Sequence, residues 1–180
     1  MRKLTTEELN RINIEQFKEA HKTPFVLVLD NVRSLNNIGS VFRTADAFRV
    51  EKIYLCGITG TPPQREINRT ALGATESVEW EYVTHTIKAI EKLKEAGYIL
   101  VALEQTDESI LLQNFKIEAT QKYAFIFGNE IFGVEDEVIK QVDFSVEIPQ
   151  FGTKHSFNVA VSAGILLWDC WVKYNQQLKS

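Results

Sequence analysis

The chain has 180 residues, of which 44% are hydrophobic and 24% are charged, a composition typical of one globular domain and not of a disordered or fibrous protein. Lysine and arginine number 20 against 24 aspartates and glutamates, which gives a net charge of −4, so an RNA contact would need a local basic patch. Cys56 and Cys170 match no metal spacing, the amino terminus is polar, and the most apolar stretch, 159–172, is shorter than the ~20 residues of a membrane span. These features predict a reduced, cytoplasmic protein with no membrane segment.

The opening residues predict a helix, because 5–8 have a capping-box pattern and Leu9, Ile12 and Phe17 fall roughly on one face. We expect residues 1–23 to form a helical extension and residues 24–180 to form the main domain.

Apolar runs and helical patterns alternate along the rest of the chain. The runs predict strands at 25–29, 52–56, 98–103, 122–127 and 143–148. The helical patterns cover 38–48, 86–96, 134–142 and 157–177. This alternation predicts an α/β fold with a mainly parallel sheet flanked by helices.

The first polar cluster, 29–46, contains a strand end, a turn and a helix start, which is where open α/β sheets place ligands. Asn37 is a candidate helix cap. Arg43 falls on the side of the helix opposite the apolar stripe, together with Ser40. Taken alone, such an arginine is most often a solvated charge.

The second cluster, 125–134, is an apolar strand that runs into a turn flanked by Gly128 and Gly133. The glycines have the spacing of a phosphate-binding loop, but the lysine and the serine or threonine of that loop are absent, and the chain has no G-x-G-x-x-G motif after a strand. A different kind of nucleotide-binding enzyme is therefore disfavoured. Without further information, Gly128 is a turn residue and Glu130 an early-helix carboxylate.

The third cluster, 148–164, runs from a strand end through a tight loop into a helix that Ser156 would cap. Apolar or small residues cover nearly all faces of this helix, whereas a helix on the outside of one sheet needs a single apolar stripe. A second buried face predicts a partner, for which another copy of the same chain is the simplest candidate.

Taken together, the three clusters resemble the motifs of the SpoU/TrmH family of SPOUT RNA 2′-O-ribose methyltransferases. The matching segments are N-x-G-x-x-x-R-T at 37–44, F-G-N-E-x-x-G at 127–133 and I-P…S-F-N-V at 148–159, and residues 69–74 resemble a further family segment. The resemblance covers about residues 25–175. It implies a C-terminal deep trefoil knot, S-adenosylmethionine as methyl donor with S-adenosylhomocysteine as product, no metal, and a homodimer formed through the first and last motif helices.

By this resemblance the protein methylates a ribose 2′-hydroxyl of tRNA or rRNA, and the compact chain favours tRNA. The alternative is a catalytically inactive RNA-binding or scaffolding protein with the same fold. The resemblance assigns the catalytic positions to Arg43, Asn37, Glu130, Ser156 and Asn158. It assigns cofactor binding to Leu103, Gly128, Ile148, Ser156 and Phe157, the last where the family more often has leucine. Candidate RNA contacts are Arg33, Arg43, Arg65, Arg69 and Lys154.

Overall fold

The computed structural model describes residues 1–179. The strands are β1 (Thr23–Asp30), β2 (Val50–Cys56), β3 (Glu79–Val83), β4 (Tyr98–Leu103), β5 (Ile110–Leu111), β6 (Lys122–Phe127) and β7 (Phe144–Glu147). They form one central sheet in which every pair of neighbouring strands is parallel, in the order β3-β2-β1-β6-β4-β7-β5. The helices are α1 (Ile14–Glu19), α2 (Leu35–Ala47), α3 (Arg65–Ala71), α4 (Ala74–Ser77), α5 (Thr86–Glu95), α6 (Asp136–Ile139) and α7 (Val159–Leu178), with 3₁₀ turns at Glu7–Leu9 and Leu112–Asn114. The predicted parallel α/β class is confirmed, and the trefoil knot stays a prediction.

Both faces of the sheet are buried, which explains the continuous apolar runs. In β1, Leu27 belongs to the core on the side of α2 and α7, whereas Val28 belongs to the core on the side of α5 and α6. Successive side chains of a strand point to opposite faces. A strand covered on both sides is therefore apolar at every position instead of every second one.

The amino-terminal segment differs from the single helix that its pattern predicts. The backbone N–H of Thr5 does donate to the Glu8 carboxylate (2.7 Å), but Asn10 adopts a left-handed backbone conformation (φ 48°) and ends that turn. A second capping box, between Asn13 and Gln16, starts α1. Leu9 and Ile12 are exposed, and of the predicted apolar face only Phe17 packs into the core.

Four short elements were not predicted, namely β3, β5, α3 and α4. β3 is an edge strand in which glutamates alternate with aromatic residues, and no residue of it is fully buried. The helix predicted at 134–142 is wrong in extent, since α6 covers only Asp136–Ile139. The preceding residues instead close the loop after β6.

Parallel strands bring their carboxyl ends to one edge of the sheet. The segments that follow β1, β4, β6 and β7 therefore lie side by side there. Three of these segments contain the motif clusters recognised in the sequence.

Candidate active site

The loops after β4, β6 and β7, together with the start of α7, enclose a cavity of about 560 Å³. This volume is in the range of cofactor and small-molecule sites. All five residues predicted to bind a cofactor line it: Leu103, Gly128, Ile148, Ser156 and Phe157. Glu130 and Asn158 line it too.

The loop after β6 folds back on itself between Asn129 and Gly133, which exchange two backbone hydrogen bonds of 2.9 Å. Inside this turn, the Oδ1 atom of Asn129 accepts from the N–H groups of Ile131 (2.9 Å) and Phe132 (3.2 Å). The side-chain amide of Asn129 donates to the carbonyl of Asn31 (2.7 Å) and fixes the turn against the end of β1. Asn129 is buried, so these bonds are protected from water.

Two carboxylates at the ends of strands anchor the remainder of this loop. Glu104, just after β4, accepts from the N–H of Val134 (3.0 Å). Asp30, at the end of β1 and fully buried, accepts from the N–H of Glu135 (2.8 Å) and from the hydroxyl of Thr86 (2.5 Å). The motif patterns did not indicate these anchors, although a carboxylate directly after an apolar run was a signal that could have revealed them.

Gly128 is required by close packing of the backbone. A Cβ atom at this position would lie 2.1 Å from the carbonyl carbon of Gly133 and 2.2 Å from the nitrogen of Val134. Neither neighbour is the flexible end of a side chain, so a larger residue would force the loop open. Gly128 therefore lets the turn close tightly, and it also lines the cavity.

Glu130 binds the start of α2. Its carboxylate accepts from the N–H groups of Arg33 and Ser34, both at 3.0 Å, and from the side-chain amide of Asn37 (3.3 Å). Partial burial acts to raise the pKa of Glu130, but the hydrogen bonds from the backbone outweigh it and the pKa is lowered. The predicted early-helix position is wrong, because Glu130 sits on a loop and binds a different helix.

Two predicted helix caps are corrected by the structure. Ser34, not Asn37, caps α2 by accepting from the backbone N–H of Asn37. Asn158, not Ser156, caps α7 by accepting from the N–H groups of Ala160 and Val161. The observed cap of α2 thus lies three residues before the predicted one, and the observed cap of α7 lies two residues after it.

The side chain of Asn158 also donates to Oδ1 of Asn37 (3.0 Å). Glu130, Asn37 and Asn158 thus form a continuous chain of hydrogen bonds that joins all three motif clusters. Ser156 lines the cavity and is exposed. Four of the five predicted catalytic residues are therefore gathered at one place.

Arg43 is the exception. It lies on the exposed side of α2, about 9 Å along the helix axis from Asn37, and it is not among the residues that line the cavity. An exposed guanidinium with its five donors is available to a phosphate or to a second molecule.

The remaining basic candidates, Arg33, Arg65, Arg69 and Lys154, are all exposed. Arg69 donates to Oδ1 of Asn36 (3.0 Å), which places it beside the start of α2, where Arg33 also lies. Arg65 begins α3, and Lys154 belongs to the loop between β7 and α7.

Neither cysteine is suited to nucleophilic chemistry. Burial raises the pKa of the Cys56 thiol to about 12, and burial also raises the pKa of Cys170. Within residues 1–179, no cluster of three or more histidine, cysteine or acidic side chains could hold a metal ion. No helix in the same range is long and apolar enough to cross a membrane.

Known proteins are similar in sequence to this chain over most of its length. Residues 24–168 match the family model described as the SpoU rRNA Methylase family. The 23S rRNA (guanosine-2′-O-)-methyltransferase RlmB of Neisseria meningitidis is 31% identical over 159 residues, which cover 88% of this chain and 62% of that protein. The chain thus spans less than two thirds of the length of this relative.

Solved structures are similar as well. The AdoMet-bound rRNA methyltransferase from Sinorhizobium meliloti superimposes with a TM-score of 0.76 at 27% identity, covering 86% of this chain and 59% of that one. The TrmH/SpoU tRNA modifying enzyme of A. aeolicus gives a TM-score of 0.80 at 24% identity, covering 91% of this chain and 83% of that one. The second likeness supports the fold alone.

Proposed function

Because this chain belongs to the SpoU rRNA methylase family, we propose that it transfers a methyl group from S-adenosylmethionine to a ribose 2′-hydroxyl of RNA. One observation carries the proposal. The hydrogen-bonded chain from Glu130 through Asn37 to Asn158 connects the cavity to α2, the helix that bears Arg43.

The cavity suits the proposed cofactor. It lies at the carboxyl ends of parallel strands, where loop backbones offer N–H and C=O groups to an adenine edge. Leu103, Gly128 and Ile148 would supply such groups, and Phe157 would supply an apolar contact. S-adenosylmethionine, when bound, supplies a methyl group carried on a positively charged sulfur. The relative from Sinorhizobium meliloti is described as AdoMet-bound.

Arg43 acts on the RNA side of the reaction. A guanidinium stays protonated in proteins, so Arg43 cannot remove the proton of the 2′-hydroxyl. It binds the phosphate beside the target ribose and orients the hydroxyl, and a phosphate oxygen or a water molecule takes the proton. Asn158 and Ser156 hold the hydroxyl or the arginine, while Glu130 fixes the start of α2.

The RNA is held through its phosphates by exposed basic side chains. Arg33, Arg65, Arg69 and Lys154 serve this role together with Arg43, despite the acidic total charge. The substrate is tRNA or rRNA, in the cytoplasm. Of the two, tRNA is the first to test, as expected from the sequence.

The active form is a homodimer. Val161 and Trp168, both on α7, are 50% and 59% exposed in the single chain. Apolar side chains on a helix that already buries its opposite face support burial against a second copy. Such a dimer also offers Arg43 a route to the cavity of the partner.

The direct test uses purified protein, labelled S-adenosylmethionine and total RNA from cells that lack the gene. We expect label in tRNA or rRNA, at a nucleotide whose ribose resists alkaline cleavage. The Arg43→Ala protein serves as the matched control. RNA binding without any transfer of label would favour the inactive RNA-binding alternative.

A further inference from the structure

Two apolar side chains stand exposed at the tip of the turn after β6. Ile131 is 67% exposed and Phe132 is 84% exposed, and both line the cavity. Covering exposed apolar surface of this size removes it from water and lowers the free energy, so exposed apolar side chains beside a ligand site indicate a binding partner.

The backbone of Phe132 is already ordered. Its N–H donates to Oδ1 of the buried Asn129, and the next part of the loop is held by Glu104 through the N–H of Val134. A planar ring on a fixed backbone has few rotatable bonds left to order. A partner that stacks on it therefore costs little conformational entropy.

The side chains beside the ring favour an uncharged aromatic partner over a phosphate. Glu104, Glu130 and Glu147 line the cavity, and none of the lysines or arginines in residues 1–179 lines it. These carboxylates repel a phosphate, whereas a base stacks through its uncharged face. Aromatic side chains on which unpaired bases stack are typical of proteins that bind single-stranded nucleic acid.

We propose that Phe132 is a stacking platform for an unpaired base of the RNA substrate at the rim of the cavity. This inference rests on the proposed function. A ribose 2′-hydroxyl that enters the cavity carries its base on the adjacent carbon, so that base lies close to the cavity rim. Bases that are unpaired in loops present a free face for stacking.

The experiment measures stacking on its own, without methyl transfer. A single-stranded RNA hexamer that contains one 2-aminopurine is titrated with the native protein and with Phe132→Ala, Phe132→Tyr and Phe151→Ala. 2-Aminopurine loses fluorescence when an aromatic ring stacks on it. Phe151 is the matched control, because it is 97% exposed but does not line the cavity.

We expect the native protein, Phe132→Tyr and Phe151→Ala to quench the fluorescence and to bind with similar affinity. Phe132→Ala should lose the quenching and bind the hexamer about tenfold more weakly. Equal quenching by Phe132→Ala overturns the inference, as does an equal loss in Phe151→Ala.

Sedimentation velocity tests whether the Phe132 ring packs against a second copy of the chain instead of a base. If Phe132→Ala dissociates a dimer that the native chain forms, the ring covers a second copy and the inference is wrong. A native protein that quenches the hexamer but never transfers a methyl group to any RNA would refute the proposed function and leave the stacking role standing.

Discussion

Glu130 lies on the loop after β6, yet the donors that it binds lie at the start of α2. Two of them are backbone N–H groups, of Arg33 and Ser34, which point outward at the positive end of the helix. A carboxylate there satisfies donors that would otherwise need water. The same residue thus joins the second motif to the first.

We predict that Glu130→Gln lowers the free energy of unfolding at pH 7 by about 1 kcal/mol. Hydrogen bonds to a charged group contribute more than neutral ones, but exposure to solvent reduces that contribution. The pKa of Glu130 is lowered from its ordinary value of 4.5. The stabilisation is therefore present above pH 4.5 and lost as the pH falls through the folded-state pKa. Urea unfolding at a series of pH values should show the native and variant curves converging in acid.

Glu108→Gln is the control for this comparison, because Glu108 is an exposed carboxylate on the loop after β4. It should leave the unfolding free energy nearly unchanged at both ends of the pH range. A constant difference between native protein and Glu130→Gln down to acid pH would contradict the assigned role.

Arg43 gives the sharpest test of the chemistry. We predict that Arg43→Ala reduces methyl transfer by roughly 100-fold or more, since a misplaced nucleophile alone has that effect. Binding of S-adenosylmethionine should be unchanged, because Arg43 does not line the cavity. Calorimetry for cofactor binding and a filter assay for label in RNA measure the two effects.

Arg43→Lys keeps the charge without the planar fork and should restore only part of the activity. Arg11→Ala, which removes an exposed arginine outside the motifs, is the neutral control. If Arg43→Ala lost cofactor binding together with methyl transfer, the proposed division of roles would be wrong.

At the scale of elements, α2 and α3 approach each other so closely that only glycine fits between them. A Cβ on Gly39 would lie 2.1 Å from the hydroxyl of Thr70 and 2.2 Å from the carbonyl oxygen of Ile67. The hydroxyl of Thr70 also donates to the carbonyl of Asn36 (3.0 Å). The glycine of the first motif therefore has a packing role beside the polar residues.

Gly39→Ala should consequently lower the free energy of unfolding by about 1–3 kcal/mol, as overpacking does. Gly152→Ala introduces the same methyl group where no atom lies within 4 Å and should change little. Thermal unfolding of both variants makes the comparison. Equal behaviour of the two proteins would mean that α2 and α3 can separate without loss.

The strands were the elements best predicted from sequence. β4 and β6 begin and end at the predicted residues, because burial on both faces leaves a continuous apolar run bounded by polar residues. For the opening segment the pattern predicted a buried helix face wrongly, because Leu9 and Ile12 have the spacing of such a face but no neighbour to bury them. Spacing alone does not show whether a second surface exists.

Only part of the site could be predicted from the sequence, because spacing along the chain does not show which segments become neighbours. The residues that the motif resemblance assigns to cofactor binding all line one cavity. The contact between Asn37 and Asn158 joins residues 121 positions apart and depends on which strand ends become neighbours. The buried anchor Asn129 was hidden because its partners are backbone groups, which leave no mark in the side-chain sequence.

At the scale of the whole molecule, the unusual element is α7, because it buries one face in its own core and leaves apolar residues on another. Leu166 and Cys170 are fully buried, whereas Val161 and Trp168 are about half exposed. The ring of Trp168 stacks on Trp171 at 6.0 Å between centroids. α7 packs against α2, to which it is also tied by the hydrogen bond between Asn158 and Asn37.

We predict that the native chain is a dimer and that Trp168→Glu makes it a monomer, because a charge buried in an apolar interface without a partner is strongly unfavourable. Ile58→Glu places the same charge on another exposed apolar residue, 65% accessible, and should leave the dimer intact. Sedimentation velocity measures the masses. The monomer should remain folded by circular dichroism yet fail to methylate RNA, since Arg43 lies outside the cavity of its own chain. A monomeric Trp168→Glu protein with full activity would show instead that one chain holds the complete site.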